Sequence, residues 1–194
     1  MSMPQRRTLL PLFDELRGER MIVRPLRLED APALFEAIIE SLDHLRPWMP
    51  WADMYHSVED AQDYIIRTQA QWLLRENLGA SFWERTSGRF LGGTGLHIRD
   101  WEIGHFEIGY WVRVSATGQG YVTEAAHLLT EFAFDKLEAN RVMIRCDERN
   151  ERSAAVPRRL GFVYEGCLRC DLRGTDGTPR NTLIFSMIRA DRKK

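Results

Sequence analysis

The run Thr117-Gly118-Gln119-Gly120-Tyr121-Val122-Thr123 has the residue types and spacing for binding an anion. It follows a strand-like stretch, Phe106 to Val112. It opens an amphipathic segment in which Val122, Ala125, Ala126, Leu129, Phe132 and Ala133 recur at helical spacing, to about Leu137. The first N–H groups of a helix have no intrahelical partner and carry the positive end of its dipole. Glycines let the backbone curl around a phosphate with no side chain in the way, and a pyrophosphate is a natural guest. A Gly-x-Gly before a helix also occurs as plain loop geometry, so the motif alone leaves both readings open. It is not a P-loop, because no Gly-Lys-Ser/Thr follows. A dinucleotide fingerprint would need a third glycine near Thr123, where there is none.

Other candidates lie on either side. Along Phe106–Val112, Phe106, Ile108, Tyr110 and Val112 point one way and His105, Glu107, Gly109 and Trp111 the other. A carboxylate at Glu107, inside so apolar a strand, either sits at a wet rim or lines a cavity and has a task. Trp48 and Trp51 stand in the proline-stiffened run Leu45-Arg46-Pro47-Trp48-Met49-Pro50-Trp51, as a binding wall or as plugs of the core edge. Cys167 and Cys170 form a CxxC in a strand-like run. With Cys146 they make an odd count that reads as reduced cysteines rather than a metal or redox site.

The elements that must hold these groups can be read from period and punctuation. Residues 1–19 read as an N-terminal arm and 20–190 as a single domain. Met21 to Leu26 is a short strand. Asp30 caps a helix carrying Leu34, Phe35, Ile38, Ile39 and Leu42, and Ser57 starts another that runs to about Arg75. Period-two runs follow at Ala80–Glu84, Phe90–His97 and Phe106–Val112, then at Arg141–Asp147 after the central helix. A short helix from Asn150 to about Leu160 contains Pro157, which loosens its first turns or delays its start. Phe162–Leu172 and Asn181–Ile188 close the chain as a hairpin. The order describes a mixed α/β (α+β) domain with one mostly antiparallel sheet.

Composition excludes several classes. A net charge of −1 argues against a broad nucleic-acid surface, and no apolar run approaches membrane-spanning length. The early pair Arg6-Arg7 only faintly imitates a secretion signal, since Asp14 and Glu15 end its apolar part; a cytoplasmic protein is expected.

From Glu107 to Gly166 the chain resembles the GNAT acyl-CoA-dependent N-acetyltransferases, within them the Rim-type branch known for acetylating ribosomal-protein N-termini. The resemblance is carried by Glu107-Ile108-Gly109-Tyr110-Trp111-Val112, Gly118-Gln119-Gly120-Tyr121-Val122-Thr123-Glu124-Ala125, Phe132-Ala133-Phe134 and Asn140-Arg141-Val142. Asn150-x-x-Ser153, Leu160-Gly161-Phe162-x-x-Glu165-Gly166 and the upstream tryptophan loop complete it. It implies a central mixed, mostly antiparallel sheet of about seven strands, splayed in the middle and flanked by about four helices. It also implies acetyl-CoA as co-substrate, with pyrophosphate on the N–H groups of Gly118 to Thr123 and pantetheine along Tyr110, Trp111 and Val112. The chain departs from the family's Gln/Arg-x-x-Gly-x-Gly/Ala at Thr117 and Val122. It also carries Pro157 where many members place a tyrosine acid. Weaker CoA affinity is expected, not its abolition.

An amine must be neutral to attack a thioester. Near pH 7.4 an α-amino group is neutral about a fifth of the time, and a lysine amine about a thousandth. On the resemblance, Glu107 is the candidate base, through a water, against a purely structural carboxylate bonded to a neighbouring backbone or to His105. Ser153 is the candidate donor to the leaving thiolate, against a role in capping the short helix with Asn150. Asn150 itself would otherwise bond the pantetheine amides. The acceptor is a primary amine, in the first instance a protein N-terminus, with a small-molecule amine as the alternative. A non-catalytic acyl-CoA sensor is the reading from a different class, and a homodimer through an exposed strand or the tryptophan loop stays open.

Overall fold

The computed structural model describes residues 7–192. One eight-stranded sheet runs in the order β1-β2-β3-β4-β5-β6-β8-β7. Its strands are β1 (Leu16–Arg17), β2 (Met21–Arg24), β3 (Asn77–Glu84), β4 (Phe90–Asp100), β5 (His105–Val112), β6 (Arg141–Asp147), β7 (Val163–Arg173) and β8 (Pro179–Ile188). Five helices accompany it: α1 (Ala31–Glu40), a single turn α2 (Leu42–Leu45), α3 (Val58–Leu74), α4 (Tyr121–Lys136) and α5 (Glu151–Arg159). The pairs are antiparallel except β5 with β6. The excess over seven strands is β1, and the excess over four helices is α2.

Two apolar layers hold the sheet. On one face α4 buries Ala125, Ala126, Leu129, Phe132 and Ala133 against Phe106 and Ile108 of β5 and the strands beside it. On the other, α1 and α3 pack Leu34, Ile38 and Ile65 around Trp83 and Phe90. Ser57 and Asp60 cap α3 reciprocally, as the Ser-x-x-Asp spacing anticipates. Asp30 does not cap α1 with its side chain. Its carboxylate instead takes Arg24 Nη1 and Nη2 at 2.7 and 2.8 Å and the Arg27 N–H at 2.7 Å, because a buried charge needs a counter-charge more than a helix end needs a cap.

The described part of the expected arm is not peripheral. Gly18 N–H closes the β1–β2 turn onto Met21 O, and Phe13 is buried with its ring edge-on to Trp72 and Phe132.

Between β5 and β6 the ladder holds three partners, His105↔Arg141, Phe106↔Val142 and Glu107↔Met143, and then stops. Beyond it, β5 stays on β4 as far as Val112, and β6 stays on β8 as far as Asp147. The strands part after Glu107, which is the expected central splay.

One buried ion pair joins α1 to the segment leaving β5. Arg113, 5% exposed, donates to Glu40 and, at 2.8 Å, to Glu36. Hydrogen bonding from Arg113 holds the Glu40 carboxyl down at about 2, from an ordinary 4.5. A carboxyl lowered by folding adds stability in full above its unfolded value and loses it as pH falls towards the folded one. Wild-type melting temperature is therefore expected to fall between about pH 5 and 2, and Arg113→Ala to flatten that fall. Thermal melts across this range read it directly.

Candidate active site

The glycine turn has the backbone its sequence demands. Gly118 and Gly120 adopt φ of 75° and 84°, left-handed values that β-branched or bulky residues rarely take. Gly120 is the N-cap of α4, and the first bond into the helix runs from Glu124 N–H to Gly120 O at 3.1 Å. Tyr121, Val122 and Thr123 thus present first-turn N–H groups, with the positive end of a sixteen-residue helix behind them. Val122 is half-buried against the core. Thr117 turns its hydroxyl to Val114 O at 2.8 Å, and Gln119 Nε2 bonds Ser115 O at 3.1 Å, so both side chains brace the approach to the turn.

Arg20, from the β1–β2 turn, completes the rim. It donates to Glu124 Oε2 through Nε and Nη2 at 3.1 and 3.0 Å and to Gln119 O at 2.8 Å. Its guanidinium offsets the Glu124 carboxylate beside the glycine turn. No local spacing announces it, since the residues it joins lie about a hundred positions apart in the chain.

A cavity of about 1350 Å³ runs from this turn along the open edge of β5. Of the residues singled out from sequence, Trp48, Tyr110, Trp111, Val112, Asn150, Ser153 and all of Thr117–Thr123 line it. So do Arg149, Arg152 and Arg159, which the motifs did not single out. The turn, the splay and a basic rim together fit a long ligand with a diphosphate at one end.

At the splay, Pro157 sits inside α5 without stopping it. A proline cannot donate to the carbonyl four residues back, here that of Ser153. Tyr110 fills the vacancy: its hydroxyl donates to Ser153 O at 3.0 Å and accepts from Ser153 Oγ at 3.3 Å. The phenol is buried and its pKa is raised by that burial, so it stays protonated. Ser153 N–H donates to Asn150 Oδ1 at 3.0 Å, which makes Asn150 the helix cap. Cys146 lies nearby on β6, where burial pushes its thiol up to about 11 and keeps it a packing residue.

Glu107 does not line the cavity. Its side chain is 11% exposed, and Oε2 accepts from Arg99 Nε and Nη2 at 2.8 and 2.5 Å and from Arg145 Nε at 3.1 Å. Neither a neighbouring backbone group nor His105 is its partner; two arginines are.

The tryptophans separate. Trp48 lines the cavity, whereas Trp51 packs edge-on against Trp111 and Tyr55 at 5.7 and 6.0 Å between ring centroids. The tip of the β7–β8 hairpin reaches the same loop, with Thr175 Oγ1 donating to Pro47 O at 3.3 Å.

The family profile described as an acetyltransferase (GNAT) domain matches residues 20–163. The chain is 32% identical over 177 residues to YdaF of Bacillus subtilis (strain 168), provisionally named a ribosomal N-acetyltransferase, covering 90% of this chain and 94% of that one. Among solved structures, one described as an acetyltransferase superposes with a TM-score of 0.85 at 30% identity, over 92% of this chain and 98% of the other. Mycobacterium smegmatis RimJ, solved with a CoA disulfide, superposes with a TM-score of 0.82 at 25% identity, over 90% of this chain and 84% of its own. With its glycine turn, splayed sheet and long cavity, this chain belongs to the GNAT family and is an acetyl-CoA-dependent N-acetyltransferase.

Proposed function

We propose that the acceptor is the α-amino group of a protein or peptide N-terminus. The pairing of Glu107 with Arg99 and Arg145 carries this reading. The Glu107 carboxylate is engaged by two guanidinium groups rather than turned to the cavity, and a lysine amine, neutral about a thousandth of the time near pH 7.4, depends heavily on a base. An α-amine, already neutral about a fifth of the time, does not. The name borne by YdaF supports a protein acceptor.

In this reading the N–H groups of Gly118 to Thr123 hold the pyrophosphate, and the open edge of Tyr110 to Val112 pairs with pantetheine. Acetyl-CoA supplies the activated acetyl group. Tyr110 holds Ser153, whose hydroxyl stands in the splay to protonate the departing sulfur. A cytoplasmic location accords with three cysteines that are all unpaired.

The test is a peptide with a free N-terminus and an internal lysine, incubated with enzyme and acetyl-CoA and mapped by mass spectrometry. Acetylation at the N-terminus, and none on the lysine once the N-terminus is blocked, is expected. Equal labelling of lysine, or transfer confined to small amines, would reject the assignment.

A further inference from the structure

On the sheet face opposite α4, a pair of facing glycines adjoins the edge where β5 leaves β6. Gly95 on β4 lies directly across from Gly109 on β5, and Gly109 stands just past the point where β5 leaves β6. Neither position has room for a side chain: a Cβ on Gly95 would meet Leu78 O of the neighbouring β3 at 2.6 Å. At one end of this pair stands Trp111, its indole lying over Gly93: a Cβ there would meet Trp111 Nε1 at 2.3 Å. At the other stands His97, its imidazole lying over Gly109, where a Cβ would meet Nε2 at 2.6 Å. The three atoms nearest to that added Cβ all belong to the His97 ring. The absence of a side chain at Gly109 is what lets the imidazole reach the splay.

We propose that His97 is the general base of the transfer, taking the proton from the acceptor amine through Nε2. This rests on the N-acetyltransfer reading above. The amine nitrogen forms a bond to the thioester carbonyl carbon while the C–S bond breaks and its electrons leave with the CoA sulfur. The proton shed by nitrogen goes to Nε2 and on to solvent, and the sulfur takes one from the Ser153 side. The products are the N-acetylated amine and CoA thiol.

The surroundings suit the task. His97 stands in register with Glu107. The charged groups facing it are Glu107 on β5, Arg99 on its own strand and Arg145 on β6. Enclosure by the protein, helped by the two arginines and opposed by Glu107, lowers its pKa, so the ring is neutral and ready to accept at pH 7. His97 is exposed to solvent, which lets the proton escape. Glu107, occupied by arginines on Oε2, sits where it can stabilise the imidazolium as that forms.

The experiment compares wild type, His97→Gln, Gly109→Ala and the double variant by kcat/KM against pH, with acetyl-CoA binding measured by calorimetry. His97→Gln is expected to lose about 10²-fold in rate and the acidic limb of the wild-type profile, with acetyl-CoA affinity unchanged. Gly109→Ala displaces the ring and is expected to lose rate too; the double variant should then be no slower than His97→Gln, because Gly109 matters only through the imidazole. Added imidazole should restore part of the rate in His97→Ala. Wild-type turnover with His97→Gln within threefold and the acidic limb intact would overturn the base assignment alone. A wild-type enzyme that releases no thiol with any amine would overturn both readings.

Discussion

Valine in place of Gly120 is expected to weaken acetyl-CoA binding on the order of 10²–10³-fold. Two costs add. A left-handed backbone at φ 84° costs an L-residue about 1–2 kcal/mol, and more for one branched at Cβ. Escape from that conformation swings the N–H groups of Tyr121 to Thr123 off their common centre, and each hydrogen bond to a charged phosphate oxygen is worth about 1.5–3 kcal/mol. An added Cβ would also lie 3.3 Å from Arg20 Nη2, pressing on the nitrogen that bonds Glu124 Oε2. Calorimetric titration with CoA measures the loss. Gly88→Val is the control: its φ is 69° and a Cβ there has open space, but it lies in the β3–β4 turn, away from the cavity. It should cost stability and leave affinity alone.

Truncating Phe13 to alanine is expected to cost about 3–5 kcal/mol of unfolding free energy. The ring is 8% exposed and meets Trp72 and Phe132 edge-on at 5.0 and 4.8 Å between centroids. Its loss empties a space between α3 and α4 that rigid elements cannot collapse to fill. Urea denaturation at unchanged slope would show the effect as a lower midpoint. A change below about 0.5 kcal/mol, the size of an ordinary surface substitution, would mean that this segment is peripheral after all.

Phe13 also marks where the sequence is silent. It ends the short apolar run Leu9-Leu10-Pro11-Leu12-Phe13, which has neither helical nor alternating period, and β1 is only two residues long. Nothing local distinguishes such a segment from a tail; its burial is decided by α3 and α4. The glycine turn is the opposite case. Its backbone conformation restricts the residues that fit, so the requirement is written in the residues themselves. The main strands and helices were legible for a similar reason, since a period of two or of 3.6 is a local property.

Partners remote in the chain were not legible. Glu107 invited a catalytic reading because a carboxylate in an apolar strand is costly. The arginines that answer that cost lie 8 and 38 residues away. The same holds for Arg20 on Glu124 and for Tyr110 on the carbonyl that Pro157 releases. Trp48 and Trp51, three apart, read alike as a wall; only the packing of Trp111 sends one to the cavity and the other to the core edge. His97 carried no signal in spacing, and its reach depends on a missing side chain across a strand pair.

Acetyl transfer from acetyl-CoA to an N-terminal amine frees one CoA thiol for each acetyl group moved, and that thiol can be followed as it forms. Purified protein would be assayed against N-terminal peptides, polyamines, amino acids and aminoglycosides. Thiol release is expected with the peptides, matched one for one by N-terminally acetylated product. Thiol release only with small amines would contradict the acceptor, and silence throughout with CoA still bound would contradict the enzyme.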